Sequence, residues 1–127
     1  MTMHRLLLFL FLVLVSFGNY CYSDDSEVII NMHDLGHHGT HFDLPIPADM
    51  PDVYYNSSAQ QIIIDGTGYV SYYDVEITSQ STWDVVVSTS VNGSYGTIDI
   101  SSLPDDDYII TIDTPLGNTY EGYFQTY

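Results

Sequence analysis

Hydrophobic and polar residues alternate with a period of two from about residue 60 to the end of the chain, in short runs separated by turn residues. The runs are rich in β-branched and aromatic side chains, and none has the spacing of an amphipathic helix. Strands that recur about every ten residues are typical of a sandwich or a small barrel. We therefore predict an all-β fold, an immunoglobulin-like or fibronectin-III-like antiparallel β-sandwich, with strands at Ile62–Ile64, Tyr69–Thr78, Trp83–Val91, Ile98–Ile100, Tyr108–Ile112 and around Tyr120–Phe124.

The alternation also assigns the aromatic side chains to the two faces of each strand. Four aromatic rings are predicted to lie in the core: Trp83, Tyr73, Tyr108 and Phe124. Three tyrosines are predicted to face outward as a binding surface, where they would stack on sugar rings or anchor a protein partner: Tyr72, Tyr120 and Tyr123. Between the third and fourth runs, Asn92-Gly93 predicts a tight turn, because both residues tolerate positive φ.

The N-terminal segment has a different pattern. Arg5 is followed by the apolar run Leu6–Val15, which predicts a cleavable signal peptide over residues 1–23 and export to the periplasm, the cell surface or the medium. The run is shorter than the roughly 20 residues that a spanning helix needs. A retained anchor helix and a lipid anchor on Cys21 are the alternatives.

Residues 24–58 contain several histidines and prolines and have little periodicity. This composition predicts an extended leader that precedes the sandwich, which we place at residues 59–127. Within the leader, Val28–Ile30 is apolar and β-branched, and it predicts a short additional edge strand.

Acidic residues dominate the charge of the chain. There are 17 Asp and Glu residues against one Lys or Arg, which gives a net charge of −16. The single basic residue is Arg5, inside the predicted signal peptide. Such a charge repels nucleic acid and anionic membrane surfaces. It suits cations, basic proteins and neutral sugars, so we expect a protein or glycan partner.

The stretch Ile98–Ile112, IDISSLPDDDYIITI, resembles the signature I-x-I-x-x-L-P-x-G-x-Y-x-I-x-I of small secreted β-sandwich proteins of Bacteroidetes. Two groups share this signature: stand-alone secreted proteins of unknown function, and the C-terminal sorting domains of the Por-type secretion system. Gly122-Tyr123-Phe124 also resembles the G-x-F ending of the stand-alone family. The resemblance implies export, an immunoglobulin-like sandwich and a Tyr108 hydroxyl bonded to the backbone upstream.

Two departures from this signature separate the groups. An Asp occupies the usual Gly position within Asp105–Asp107, and Asp tolerates the left-handed conformation that such a turn needs. The sorting domains usually carry basic residues near their end, whereas this chain ends Phe124–Tyr127 without one, and they follow a large cargo domain. The resemblance therefore favours the stand-alone family, which implies no known activity.

Two clusters are candidates for weak divalent-cation binding. Imidazole and carboxylate groups bind Zn²⁺, Cu²⁺ or Ni²⁺, and four histidines are close in sequence: His33, His37, His38 and His41. The second cluster is the aspartate corner, whose carboxylates would hold Ca²⁺: Asp105, Asp106 and Asp107. The alternative is a solvated loop in the first case and ordinary turn chemistry in the second.

The sequence gives little support for catalysis. It contains no nucleophile elbow, metalloprotease motif or phosphate-binding loop, and the predicted sandwich has no histidine. We therefore expect a non-enzymatic secreted protein without a cofactor, a binding or interaction module for protein–protein contacts or adhesion. The alternatives are a cation-binding domain and a carbohydrate-binding module.

Overall fold

A computed structural model describes residues 26–35 and 46–127 of the chain. Within these ranges the chain forms nine β-strands, and no helix there is long and apolar enough to cross a membrane. The strands are β1 (Glu27–Ile30), β2 (His33–Asp34), β3 (Asp52–Asn56), β4 (Gln61–Asp65), β5 (Tyr72–Ser79), β6 (Val85–Asn92), β7 (Tyr95–Asp99), β8 (Asp107–Asp113) and β9 (Thr119–Gln125).

The strands form two antiparallel sheets that pack face to face. The first sheet has the order β1-β3-β4-β7, and the second has the order β2-β9-β8-β5-β6. Because side chains alternate between the faces of a strand, every second residue of β3, β4, β5, β8 and β9 faces the space between the sheets. The core is built from Ile62, Ile64, Tyr73, Val75, Ile77, Ile98, Tyr108, Ile110, Ile112 and their buried neighbours. This architecture confirms the all-β, immunoglobulin-like antiparallel sandwich.

The predicted inward faces are confirmed for β5 and β8. Tyr73, Val75 and Ile77 are buried, and Tyr108 is buried against Phe124 with 5.4 Å between the ring centroids. The prediction for Trp83 is wrong: 68 % of the residue is exposed. Trp83 lies in the loop between β5 and β6 with a φ of 61°, so it does not follow the alternation of the strand.

The boundary between leader and sandwich requires a correction. β1, β2 and β3 all lie within residues 24–58, and β3 is paired on both sides, with β1 and with β4. The predicted edge strand at Val28–Ile30 is present as part of β1. Strand β3 escaped the sequence pattern because only Val53 and Tyr55 face inward, which is too short an alternation to stand out.

Asn92-Gly93 does not close a hairpin. It lies where the chain crosses from β6 in one sheet to β7 in the other. Gly93 approaches the backbone at Val70 so closely that a Cβ would lie 1.8 Å from the Val70 carbonyl oxygen. The glycine is needed for this close approach between two loops, and it has no positive φ.

Candidate functional site

A groove of about 690 Å³ opens along one side of the sandwich, between β1 of the first sheet and β9 of the second. Strand β1 is the edge of its sheet, and β2 covers β9 only at Tyr120 and Glu121. The described chain therefore leaves the later part of β9 unpaired on that side. The groove is lined by apolar and aromatic residues, Val28, Ile29, Tyr55, Tyr123, Phe124 and Tyr127, and by a few polar ones, including Ser57, Gln80 and Asp107.

The groove combines an exposed apolar rim with a rigid aromatic floor. Val28, Ile29, Tyr123 and Tyr127 are all exposed. Beneath them, the buried ring of Phe124 packs on Tyr55, with 5.7 Å between the centroids. Contiguous exposed apolar surface of this kind is typical of binding sites, because leaving it in water is unfavourable.

Two carboxylates give this side of the sandwich a negative charge. The Tyr123 hydroxyl donates to Glu121 at 2.6 Å, and the Tyr127 hydroxyl donates to Asp107 at 2.8 Å. The hydrogen bond to Glu121 raises the pKa of Tyr123, and the bond to Asp107 raises the pKa of Tyr127. Both phenols therefore stay protonated and orient a carboxylate near the groove, an arrangement that favours a basic or hydrogen-bond-donating ligand.

The three tyrosines of the predicted binding surface do not come together. Tyr123 lies in the groove, whereas Tyr72 is exposed at the start of β5. Tyr123 of β9 and Thr78 of β5 both pair with the same residue of β8. Tyr72 precedes Thr78 by six residues of β5, so Tyr72 and Tyr123 are about 20 Å apart along the strand direction. Tyr120 contradicts the prediction, since it is fully buried and donates to Asp49.

The histidine cluster is only partly within the described residues. His33 is exposed on β2, opposite Glu121 of β9. His37, His38 and His41 lie outside the described residues. In residues 26–35 and 46–127, no group of three or more His, Cys, Asp or Glu side chains is arranged to hold a metal ion.

The aspartate corner ties loops together. The Asp106 carboxylate accepts hydrogen bonds of 2.5 Å from Ser79, the last residue of β5, and from Ser81 in the loop that follows. These bonds lower the pKa of Asp106. Asp107 accepts from Tyr127, and Asp105 is exposed. Hydroxyl donors thus orient two of the three carboxylates, and the three do not form a group that could hold a metal ion.

Tyr108 occupies the position that the signature implies for a tyrosine corner. Its hydroxyl donates to the backbone carbonyl of Pro104, four residues upstream. The bond closes the connection between β7 and β8 over the end of the core, as in other immunoglobulin-like domains. Burial raises the pKa of this phenol, with a further contribution from the Asp106 and Asp105 charges.

A buried carboxylate, Asp49, was missed by sequence reasoning. Only 2 % of the residue is exposed, and its carboxylate accepts hydrogen bonds from Tyr120 at 2.5 Å and from Asn118 and Thr114 at 2.8 Å each. Burial alone raises the pKa of Asp49, but the three hydrogen bonds outweigh it, so the pKa lies below its ordinary value. No motif marks Asp49, because its partners lie far along the chain.

No protein-family model matches the chain, and no curated protein matches it in sequence. Among solved structures, the chain is similar to a DUF3244 family protein with an immunoglobulin-like β-sandwich fold from Bacteroides vulgatus. The TM-score is 0.60 at 16 % sequence identity, and the match covers 78 % of this chain and 97 % of that chain. At this identity the likeness concerns the fold, which is the immunoglobulin-like sandwich that the strand pattern predicts.

Proposed function

We propose that this protein is an exported, non-catalytic binding module that takes an extended, basic polypeptide segment in the groove between β1 and β9. We further propose that it belongs with the stand-alone secreted sandwiches of Bacteroidetes that the Ile98–Ile112 signature resembles, rather than with the Por-type sorting domains. The signal-peptide pattern at residues 1–23 supports export.

The groove is the observation that carries this proposal. It exposes Val28, Ile29, Tyr123 and Tyr127 above the buried Phe124 ring. Tyrosine is enriched among the residues that carry most of the energy of protein interfaces, and a rigid floor lowers the entropic cost of binding.

The shape and the charge of the groove indicate the kind of ligand. A segment in extended conformation can run between the edges of β1 and β9 and hydrogen-bond to their backbones. The chain has a net charge of −16, and Asp107 lines the groove, so basic side chains in the ligand are favoured. Weak cation binding and carbohydrate binding are the competing functions.

A random-peptide library displayed on phage tests the proposal. We expect enriched peptides to combine basic and apolar residues. Tyr123→Ala should weaken the binding of a synthesised hit about tenfold, as expected for a central aromatic contact. Tyr95→Ala is the matched control, because Tyr95 is 56 % exposed against 54 % for Tyr123 but lies on β7, away from the groove.

Two results would contradict the proposal. Equal loss of binding in Tyr123→Ala and Tyr95→Ala would remove the groove from the proposal. Enrichment of no peptide, together with binding on a glycan array that Tyr123→Ala abolishes, would replace the polypeptide with a sugar as the ligand.

A further inference from the structure

Strand β6 is an unpaired edge in the described part of the chain. It is the last strand of the five-stranded sheet and hydrogen-bonds only to β5. It extends over eight residues, Val85–Asn92, and most of them are exposed. This edge lies on the opposite side of the sheet from β9 and the groove. A long edge strand presents a row of backbone donors and acceptors to any other strand that can approach.

The composition of β6 separates it from the other described strands. Its sequence, VVVSTSVN, contains no charged residue. Each of the other eight described strands contains at least one Asp or Glu. Charged residues on an edge are a common protection against pairing, and β6 lacks that protection. It is also rich in the β-branched residues that favour strand pairing.

Charge decides which partner fits this edge. The chain has 17 Asp and Glu residues and one Lys or Arg, so most contacts between two copies bring carboxylates close together. Like charges that face each other across paired strands are destabilising. Strand β6 is the described strand that itself brings no carboxylate to such a contact. We propose that a second copy of this chain pairs antiparallel along β6, which joins the two five-stranded sheets into one continuous sheet.

The positions of the nearest carboxylates support an antiparallel pair. Asp84 immediately precedes β6, so antiparallel pairing places the two copies of Asp84 at opposite ends of the interface. The next carboxylates are Asp74 and Glu76 on β5. The backbones of the two β5 strands would be three strand spacings apart, about 14 Å. The Asp74 carboxylate reaches β6, where it accepts a hydrogen bond from Ser90, and antiparallel pairing places its two copies on opposite halves of the interface.

Apolar side chains at one end of β6 would be covered in this pair. Val85 is 53 % exposed, and Val86 and Trp83 are exposed beside it. The loop that carries Trp83 is held by the bonds of Ser79 and Ser81 to Asp106, so the indole is presented at little entropic cost. In an antiparallel pair, Trp83 would reach the far end of the partner's β6.

Sedimentation velocity of the purified chain tests the pairing. We expect a reversible dimer whose dissociation constant falls at least tenfold when salt rises from about 10 mM to about 150 mM, because the Debye length shortens from roughly 30 Å to 8 Å. Ser88→Lys and Ser88→Glu should both leave the protein monomeric, since each places two like charges near the centre of a symmetric interface.

Thr111→Lys is the matched control. Thr111 lies on the central strand β8 in the same cross-strand row as Ser88 and Glu76, so it receives the same charge on the same sheet but away from the edge. This variant should dimerise as the unmodified chain does. Circular dichroism of each variant confirms that it is folded.

Hydrogen exchange provides the second measurement. Amide exchange in β6 should slow as protein concentration rises, while exchange in β8 should not change. A chain that stays monomeric at every salt and protein concentration would overturn the proposal. Opposite effects of Ser88→Lys and Ser88→Glu would also overturn it, because they would indicate a charged partner of a different kind.

Discussion

Tyr120 donates a buried hydrogen bond of 2.5 Å to Oδ1 of Asp49, and this bond fastens the segment before β3 to β9 of the opposite sheet. Asn118 and Thr114 donate hydrogen bonds to the other carboxylate oxygen, Oδ2, at 2.8 Å each. Three neutral donors thus stabilise the Asp49 carboxylate in place of a basic side chain, since the chain has only one Lys or Arg. Hydrogen bonding to the charged form is enough to keep a buried carboxylate ionised.

Replacing this carboxylate should destabilise the fold. Asp49→Asn puts an amide NH₂ group where the structure needs an acceptor, so at least one buried donor loses its partner. We expect a loss of about 2–3 kcal/mol in the free energy of unfolding, measured by urea denaturation. Asp52→Asn, at an exposed carboxylate three residues away, should change it by less than about 0.5 kcal/mol. Equal effects at the two positions would show that the hydrogen bonds do not stabilise the fold.

The contribution of Asp49 should depend on pH in one direction. Its pKa is lower in the folded chain than its ordinary value, so the folded state binds fewer protons at this site. The stabilisation is therefore fully present above the unfolded pKa of about 3.9 and is lost as the pH falls through the folded pKa. The difference in unfolding free energy between the unmodified chain and Asp49→Asn should shrink below about pH 4. A difference that stays constant or grows at acid pH would contradict this sign.

Gly93 and Gly117 should respond differently to alanine. A Cβ on Gly93 would lie 1.8 Å from the Val70 carbonyl oxygen, so one of the two loops must move. Gly117 has a φ of 85° but nothing within 4 Å of an added Cβ. We expect Gly117→Ala to cost about 1–2 kcal/mol through the left-handed backbone alone. Gly93→Ala should cost distinctly more or prevent folding, as thermal unfolding followed by circular dichroism would show.

Fluorescence can report how firmly the Trp83 loop is held by its hydrogen bonds to Asp106, because Trp83 is the only tryptophan of the chain. Asp106→Ala removes the acceptor shared by Ser79 and Ser81. We expect the fluorescence anisotropy of Trp83 to fall, since the loop gains freedom on the nanosecond timescale. Asp105→Ala, at the exposed neighbouring carboxylate, is the control and should leave the anisotropy unchanged.

The sequence predicted those parts of the fold in which local pattern and packing agree. Tyr73, Val75 and Ile77 follow a strict period of two and are buried. Trp83 was misplaced because an apolar residue just outside a strand looks like its continuation, while its φ of 61° ends the alternation. Tyr120 was misplaced although it is in phase with buried Phe124, since tyrosine is equally common on surfaces.

The groove and the Asp49 cluster were beyond sequence reasoning for a different reason. Val28 and Tyr123 face the same groove from opposite ends of the chain, and Asp49 depends on donors in β9 and in the turn before it. These relationships arise from the strand order, which the hydrophobic pattern of each strand does not determine. The unpaired edge at β6 likewise follows from the strand order, although its lack of charge is visible in the sequence.

The pairing of β2 with β9 has a consequence for how the domain folds. His33 near the start of the described chain pairs with Glu121 in its last strand, and the floor of the groove joins Tyr55 to Phe124. Contacts between residues so distant in sequence must wait for loop closure, which makes folding slow. A chain that emerges from the ribosome N-terminus first has no β9 to receive β2 until residues 119–125 have been synthesised. Until then β2 and the Tyr55 side of the groove lack their partners, so the two sheets cannot close on this side.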